Sequence, residues 1–179
     1  MNEKVSNNKD YRPLHEYSCA QEFVNNVPYI AMTVLGAAIF AVGFEDPVWG
    51  WIAAGAYVTY SVAGAFWIMI FLCPYCPRWK TRSCPCGYGR IAAKLQGQKD
   101  SSHFKEKFKK HIPVIVPLWF VPVLVGAALA VHSFSWPLLV LLVVFALEAF
   151  IVLPLFSKKR GCAECPQRDS CPWMGRKGQ

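Results

Sequence analysis

Charge is scarce in this sequence, and its distribution says more than its amount. Asp, Glu, Lys and Arg make up 17% of the 179 residues, against roughly a quarter in a soluble domain, while 54% are hydrophobic. Residues 27–44, 48–72 and 112–131 contain no charged side chain, and residues 136–156 contain only Glu148. Each of these four runs has 18 to 25 residues, and a helix needs about 20 to cross a roughly 30 Å hydrocarbon core. Such long gaps in charge exclude an ordinary soluble domain. They predict an all-α integral membrane protein with four transmembrane helices.

The links inside each pair of runs, Phe44-Glu45-Asp46-Pro47 and His132-Ser133-Phe134-Ser135, lack Lys and Arg altogether. Links this short make neighbouring helices antiparallel, so the expectation is two hairpins with both termini and the middle segment on one side. Of the 19 Lys and Arg, ten lie in 73–111, six in 157–179 and three before the first run. Positive charge marks the cytoplasmic side. The chain therefore divides into a cytoplasmic N-terminal tail (1–26), hairpin 1 (27–72), a Cys-rich basic loop (73–111), hairpin 2 (112–156) and a Cys-rich cytoplasmic tail (157–179). The expected location is the plasma membrane of a prokaryote. Net charge +8 follows from this topology, with membrane lipid as a partner and no nucleic acid required. The first run follows 26 mostly polar residues and is too long for a signal core, so it reads as a retained span. There is no solenoid-type repeat and no low-complexity tract.

The four runs also lack cysteine. All eight, Cys19, Cys73, Cys76, Cys84, Cys86, Cys162, Cys165 and Cys171, fall outside them, although a free thiol tolerates burial well. On a reducing cytoplasmic face such cysteines indicate metal or redox chemistry rather than disulfides. Cys73-Pro-Tyr-Cys76 with Cys84-Pro-Cys86 supplies four sulfurs. Cys162-Ala-Glu-Cys165 with Cys171 supplies three, and Cys19 is the cysteine left to complete that set. The pattern predicts two tetrathiolate sites, which suit [4Fe-4S] clusters or Zn2+. Cysteines 73, 76, 84, 165 and 171 precede proline, as cluster ligands do in bacterial ferredoxins. Gly87 and Gly89 after Cys86 would equally suit a zinc turn.

The tail segment Cys162-Ala-Glu-Cys165-Pro-Gln-Arg-Asp-Ser-Cys171 resembles the C-terminal cluster staple of the RecB-like nuclease group. There, three cysteines at this spacing join a distant upstream cysteine around a [4Fe-4S] cluster. The resemblance implies a ligand role for the three and for Cys19. It implies no nuclease activity, because the nuclease core is missing. Cys73-Pro-Tyr-Cys76 is similar to the active-site tetrapeptide of glutaredoxins, which sits at a helix N-terminus where the dipole lowers a thiol pKa. Here it follows an apolar helix, at the unfavourable end, and no βαβ pattern surrounds it.

Within the fourth run Glu148 sits near mid-depth, where an ionisable group is costly. It is a candidate proton or carrier site, or else a protonated acid bonded to Thr33, Tyr57, Thr59, Tyr60 or Ser61. No two histidines match in depth, which excludes a bis-histidine haem. Ala37-x-x-x-Ala41 and Gly126-x-x-x-Ala130 would let helices approach closely. Pro113, Pro117 and Pro122 predict a kink in the third run. Trp49, Trp51, Trp67, Trp119 and Trp136 fall mostly near run ends, as interfacial anchors do. Segment 101–111, with Phe104, Phe108 and its lysines, reads as a surface amphipathic helix. The expected protein is an electron-transfer component rather than a stand-alone enzyme, working between a soluble donor and a membrane partner or quinone-like carrier. The alternatives are a zinc-stabilised adaptor that docks a cytoplasmic protein partner, and a metal-ion transporter, which the absence of thiols from the spans disfavours.

Overall fold

A computed structural model describes residues 16–163 together with Cys165 and Arg168. Among the described residues the chain is 79% helical and has no strand. Four helices are long and apolar enough to cross a membrane: Cys19–Gly43, Pro47–Tyr75, Ser101–His132 and Trp136–Cys162. Their outward faces are apolar too, with Val34, Ile52, Leu124 and Val140 all exposed, which is the surface that lipid rather than water selects. The chain has the build of a multi-pass membrane protein.

Helix α1 (Cys19–Gly43) starts well before its apolar run. Ser18 caps it by accepting the Gln21 backbone N–H at 3.3 Å, and the Gln21 side chain accepts the Ser18 N–H at 2.9 Å. This reciprocal pair satisfies two otherwise orphaned donors and carries the helix into polar sequence. Helix α2 (Pro47–Phe71) begins after three linking residues, with Asp46 accepting from Val48 N–H at 2.9 Å and Pro47 in the first turn, where its missing N–H costs nothing. A short helix, α3 (Tyr88–Leu95), interrupts the expected loop. Helix α4 (Phe104–His111) runs through a 3-10 turn, Ile112–Val114, into α5 (Pro117–His132), so the irregularity falls where Pro113 and Pro117 predict it. Helices α6 (Trp136–Leu147) and α7 (Leu153–Ser157) are joined by a π-turn, Glu148–Val152. Pro154 accounts for the widening, because it has no N–H for the carbonyl four residues back.

Helix α1 is central and packs against α2, α5 and α6. Its Met32, Ile39 and Phe40 meet Ala54 and Tyr57 from α2, Leu118 from α5, and Leu138 and Phe145 from α6. Close approach depends on two glycines. A methyl at Gly36 would collide with the Tyr57 ring, and one at Gly126 would stand 2.6 Å from Leu142 and 2.8 Å from Ile39.

The prolines in the third span also explain the hydroxyls of the second. Pro122 leaves the Leu118 carbonyl without its helical donor, and Tyr57 Oη donates to that carbonyl at 2.9 Å. One turn along, Tyr60 Oη donates to the Val114 carbonyl beside the 3-10 turn. Thr33 and Ser61 share a hydrogen bond at 2.7 Å, Tyr29 Oη donates to the Ser61 carbonyl at 2.8 Å, and Thr59 bonds back to the Gly55 carbonyl. The expected partnership between Glu148 and these hydroxyls therefore does not form. Backbone carbonyls in an apolar layer must be satisfied from within the protein, and they take the hydroxyls first.

Candidate metal centre

Three segments distant in sequence meet beyond the helix ends. A 3-10 turn, Cys73–Tyr75, directly continues α2, and the Cys76 N–H bonds to the Cys73 carbonyl at 3.0 Å. The chain then folds back so that Lys80 N–H reaches the Gly89 carbonyl at 3.2 Å. Lys80, at φ 63°, is left-handed, as is Gly87, at φ 73°. Gly87 follows Cys86 and lets the chain reverse into α3; a Cβ there would lie 2.8 Å from Glu22 Oε2. Glycine is thus needed for both conformation and space.

The first turns of α1 clamp this reversal. Asn25 Nδ2 donates to the Pro85 carbonyl at 2.9 Å and Asn26 Nδ2 to the Cys86 carbonyl at 3.1 Å. Glu22, buried, pairs with Arg90 of α3. Arg90 also reaches the sulfur of Cys19, and its guanidinium is held above its ordinary range first by that contact and then by the Glu22 charge. Cys19 itself is exposed. It shares a cavity of about 450 Å³ with Glu22, Asn26, Cys86 and Arg90.

The tail arrives as a second π-turn, Lys158–Cys162. Tyr17 ties it down: its backbone N–H bonds to the Arg82 carbonyl at 2.9 Å and its hydroxyl to the Arg160 carbonyl at 3.3 Å. Arg78 donates to the Gly161 carbonyl at 3.5 Å, and a Cβ added at Gly161 would stand 3.8 Å from the Pro85 ring. Cys165 N–H bonds to the Cys162 carbonyl at 3.2 Å.

Cys73, Cys76, Cys84, Cys86, Cys162 and Cys165 are all half-buried in this region, whereas Cys171 lies outside the described residues. Cys73 stands within electrostatic reach of Cys76, Cys84 and Cys86. Burial pushes the Cys76 thiol up to about 11; the Arg78 backbone N–H on its sulfur pulls it down, and Cys84 and Cys165 push it further up. Burial pushes Cys86 up to about 12, with Cys84, Cys162 and Glu22 adding to the rise. Gly89 N–H donates to Cys84 Sγ at 3.4 Å. Backbone donors aimed at sulfur favour the thiolate that a metal requires. The donor set is all sulfur, which fits a thiophilic metal or cluster. Among the described residues, no three Cys, His, Asp or Glu side chains yet close on a common point. A change of χ1 well relocates a cysteine sulfur without moving the backbone.

Glu148 opens the π-turn, half-buried, and its side chain makes no hydrogen bond among the described residues. His111 stacks on Phe71 with ring centroids 4.9 Å apart, and His132 lies 3.7 Å from Glu45, so the two short links meet at the other end of the bundle. Residues that spacing did not single out as structural partners of the cysteines are Tyr17, Glu22, Asn25, Asn26, Arg78 and Arg90. Ser18-x-x-Gln21 was the available signal for the extended α1 that delivers three of them, Glu22, Asn25 and Asn26. Set against protein-family models, curated proteins and solved structures, the chain matches none.

Proposed function

We propose that this chain is a membrane-anchored iron–sulfur protein that passes single electrons between a soluble donor and a membrane partner or quinone-like carrier. The observation that carries this reading is the gathering of loop and tail cysteines at one end of the helical bundle, with backbone N–H groups directed at two of the sulfurs. Eight cysteines provide ligands for two [4Fe-4S] clusters, through Cys73, Cys76, Cys84, Cys86, Cys19, Cys162, Cys165 and Cys171. Bound there, the clusters supply reversible one-electron redox chemistry. The protein's part is to bury the sulfurs, offset their charge with the N–H groups of Arg78 and Gly89, and hold the site beside the lipid. One electron enters from the donor and one leaves, so no bond is made or broken in the chain. The four spans, arranged as two antiparallel hairpins with both termini in the cytoplasm of a prokaryotic cell, would put this basic face where an acidic soluble donor can reach it. Glu148 would be the group available to a carrier's proton.

The turn after Cys86 favours a second reading. A left-handed Gly87 and the Gly89 N–H on the Cys84 sulfur equally suit a structural zinc site, which would make the protein an adaptor. Anaerobic purification followed by iron, zinc and acid-labile sulfide analysis separates the two. The expected preparation is brown, bleaches on reduction and becomes paramagnetic. A colourless preparation carrying about two zinc ions per chain overturns electron transfer, because zinc has no redox chemistry.

A further inference from the structure

We propose that the loop and the tail share their metal centres: Cys162 and Cys165 serve together with loop cysteines, so that neither segment builds a complete site alone. This rests on the thiolate–metal reading above, and it replaces the partition that spacing suggests, in which loop and tail each enclose one metal or cluster. The contacts run across that partition. Gly161 immediately precedes Cys162, and a Cβ added there would stand 3.8 Å from Pro85, the residue between Cys84 and Cys86. Arg78, two residues beyond Cys76, donates to the Gly161 carbonyl at 3.5 Å. The Cys165 N–H to Cys162 carbonyl bond, at 3.2 Å, presents both tail sulfurs from a single turn. Tyr17 holds that turn in place by bonding the loop at Arg82 and the tail at Arg160.

Cys19 opens onto the same loop, because it shares a cavity with Cys86. A thiophilic metal closing on such mixed sets would pin the end of the fourth span to the turn that leaves the second. Its binding energy would then act on the packing of the bundle as well as on the loop.

The test uses the full-length chain purified without oxygen. Iron, zinc and sulfide per chain are compared between the wild type and Cys162→Ser/Cys165→Ser. Shared centres predict that the double variant keeps well under half of the wild-type metal, although all four loop cysteines remain. A wild type that carries metal and a variant that keeps half of it would overturn this inference alone. A wild type free of iron, zinc and sulfide would overturn the metal reading and this inference with it. Because serine variants could misfold, the wild-type protein is also stripped of metal and treated with a short bis-maleimide. Mass spectrometry should then find bridges that join a loop cysteine to Cys162 or Cys165. Bridges confined to the loop would count against sharing.

Discussion

A buried thiol and a metal-bound thiolate respond to pH in opposite ways, so the state of the cysteines can be read from stability. In the metal-free chain, burial raises Cys76 from the ordinary 9.0 to about 11 and Cys86 to about 12. A thiol whose pKa is raised on folding contributes stability that is complete below its unfolded value. That stability is lost as pH rises through the folded value. Metal-free protein in detergent should therefore melt progressively earlier between pH 9 and 12, the window set by these same values. Metal-loaded protein should hold its melting temperature across that window and lose it on acidification instead, as protons compete for sulfur. Thermal melts of both forms across the range check this, and a metal-free protein indifferent to pH up to 11 would contradict the burial of Cys76. Cysteine spacing points to thiolate ligands from the sequence alone. The approach of the tail to the loop was not legible there, because it depends on Arg78 bonding the Gly161 carbonyl, a contact between residues far apart in the chain.

At the scale of the helices, the spans were legible because hydrocarbon demands long uncharged runs, and their ends were less so. Helix α1 extends back to Cys19 because backbone bonding continues until a cap stops it, and Ser18 with Gln21 is that cap. Helix α3 was missed although Tyr88, Ile91, Ala92 and Leu95 follow helical spacing; the cysteines and glycines before it look like an extended loop. The alternative in which these hydroxyls partner Glu148 does not form, for a clearer reason. An intramembrane acid invites hydroxyl partners, but prolines in a neighbouring span create carbonyls that need them more. This gives a double-mutant test on α2 and α5. Tyr57→Phe should destabilise the bundle by about 1 kcal/mol by leaving the Leu118 carbonyl unpaired. Adding Pro122→Ala restores a helical N–H for that carbonyl, and the penalty for Tyr57→Phe should nearly vanish. Unfolding in mixed SDS micelles measures all four proteins. Equal penalties with and without Pro122 would show that the hydroxyl does not act by satisfying the carbonyl that Pro122 frees.

For the whole molecule, the distribution of charge predicts the orientation. Ten of the 19 Lys and Arg lie in 73–111 and six in 157–179, while the two short links have none. In the fold, the loop and the tail meet at one end through Arg78 and Tyr17. The links meet at the other, where His132 lies 3.7 Å from Glu45. The molecule is therefore polarised along its long axis, with every described cysteine at the basic end. Translocating that end would carry most of the chain's positive charge across the membrane, which juxtamembrane Lys and Arg resist. The basic end should stay in the cytoplasm, and the native cysteines make this easy to measure. With the basic end inside, a membrane-impermeant maleimide applied to intact cells should leave the wild-type protein unlabelled. Ser133→Cys places a single new thiol in the second link and should label at once, and opening the cells should expose the native thiols as well. Labelling of the wild type from outside, with Ser133→Cys adding nothing, would invert the molecule. A soluble cytoplasmic donor could then no longer reach the cysteine face.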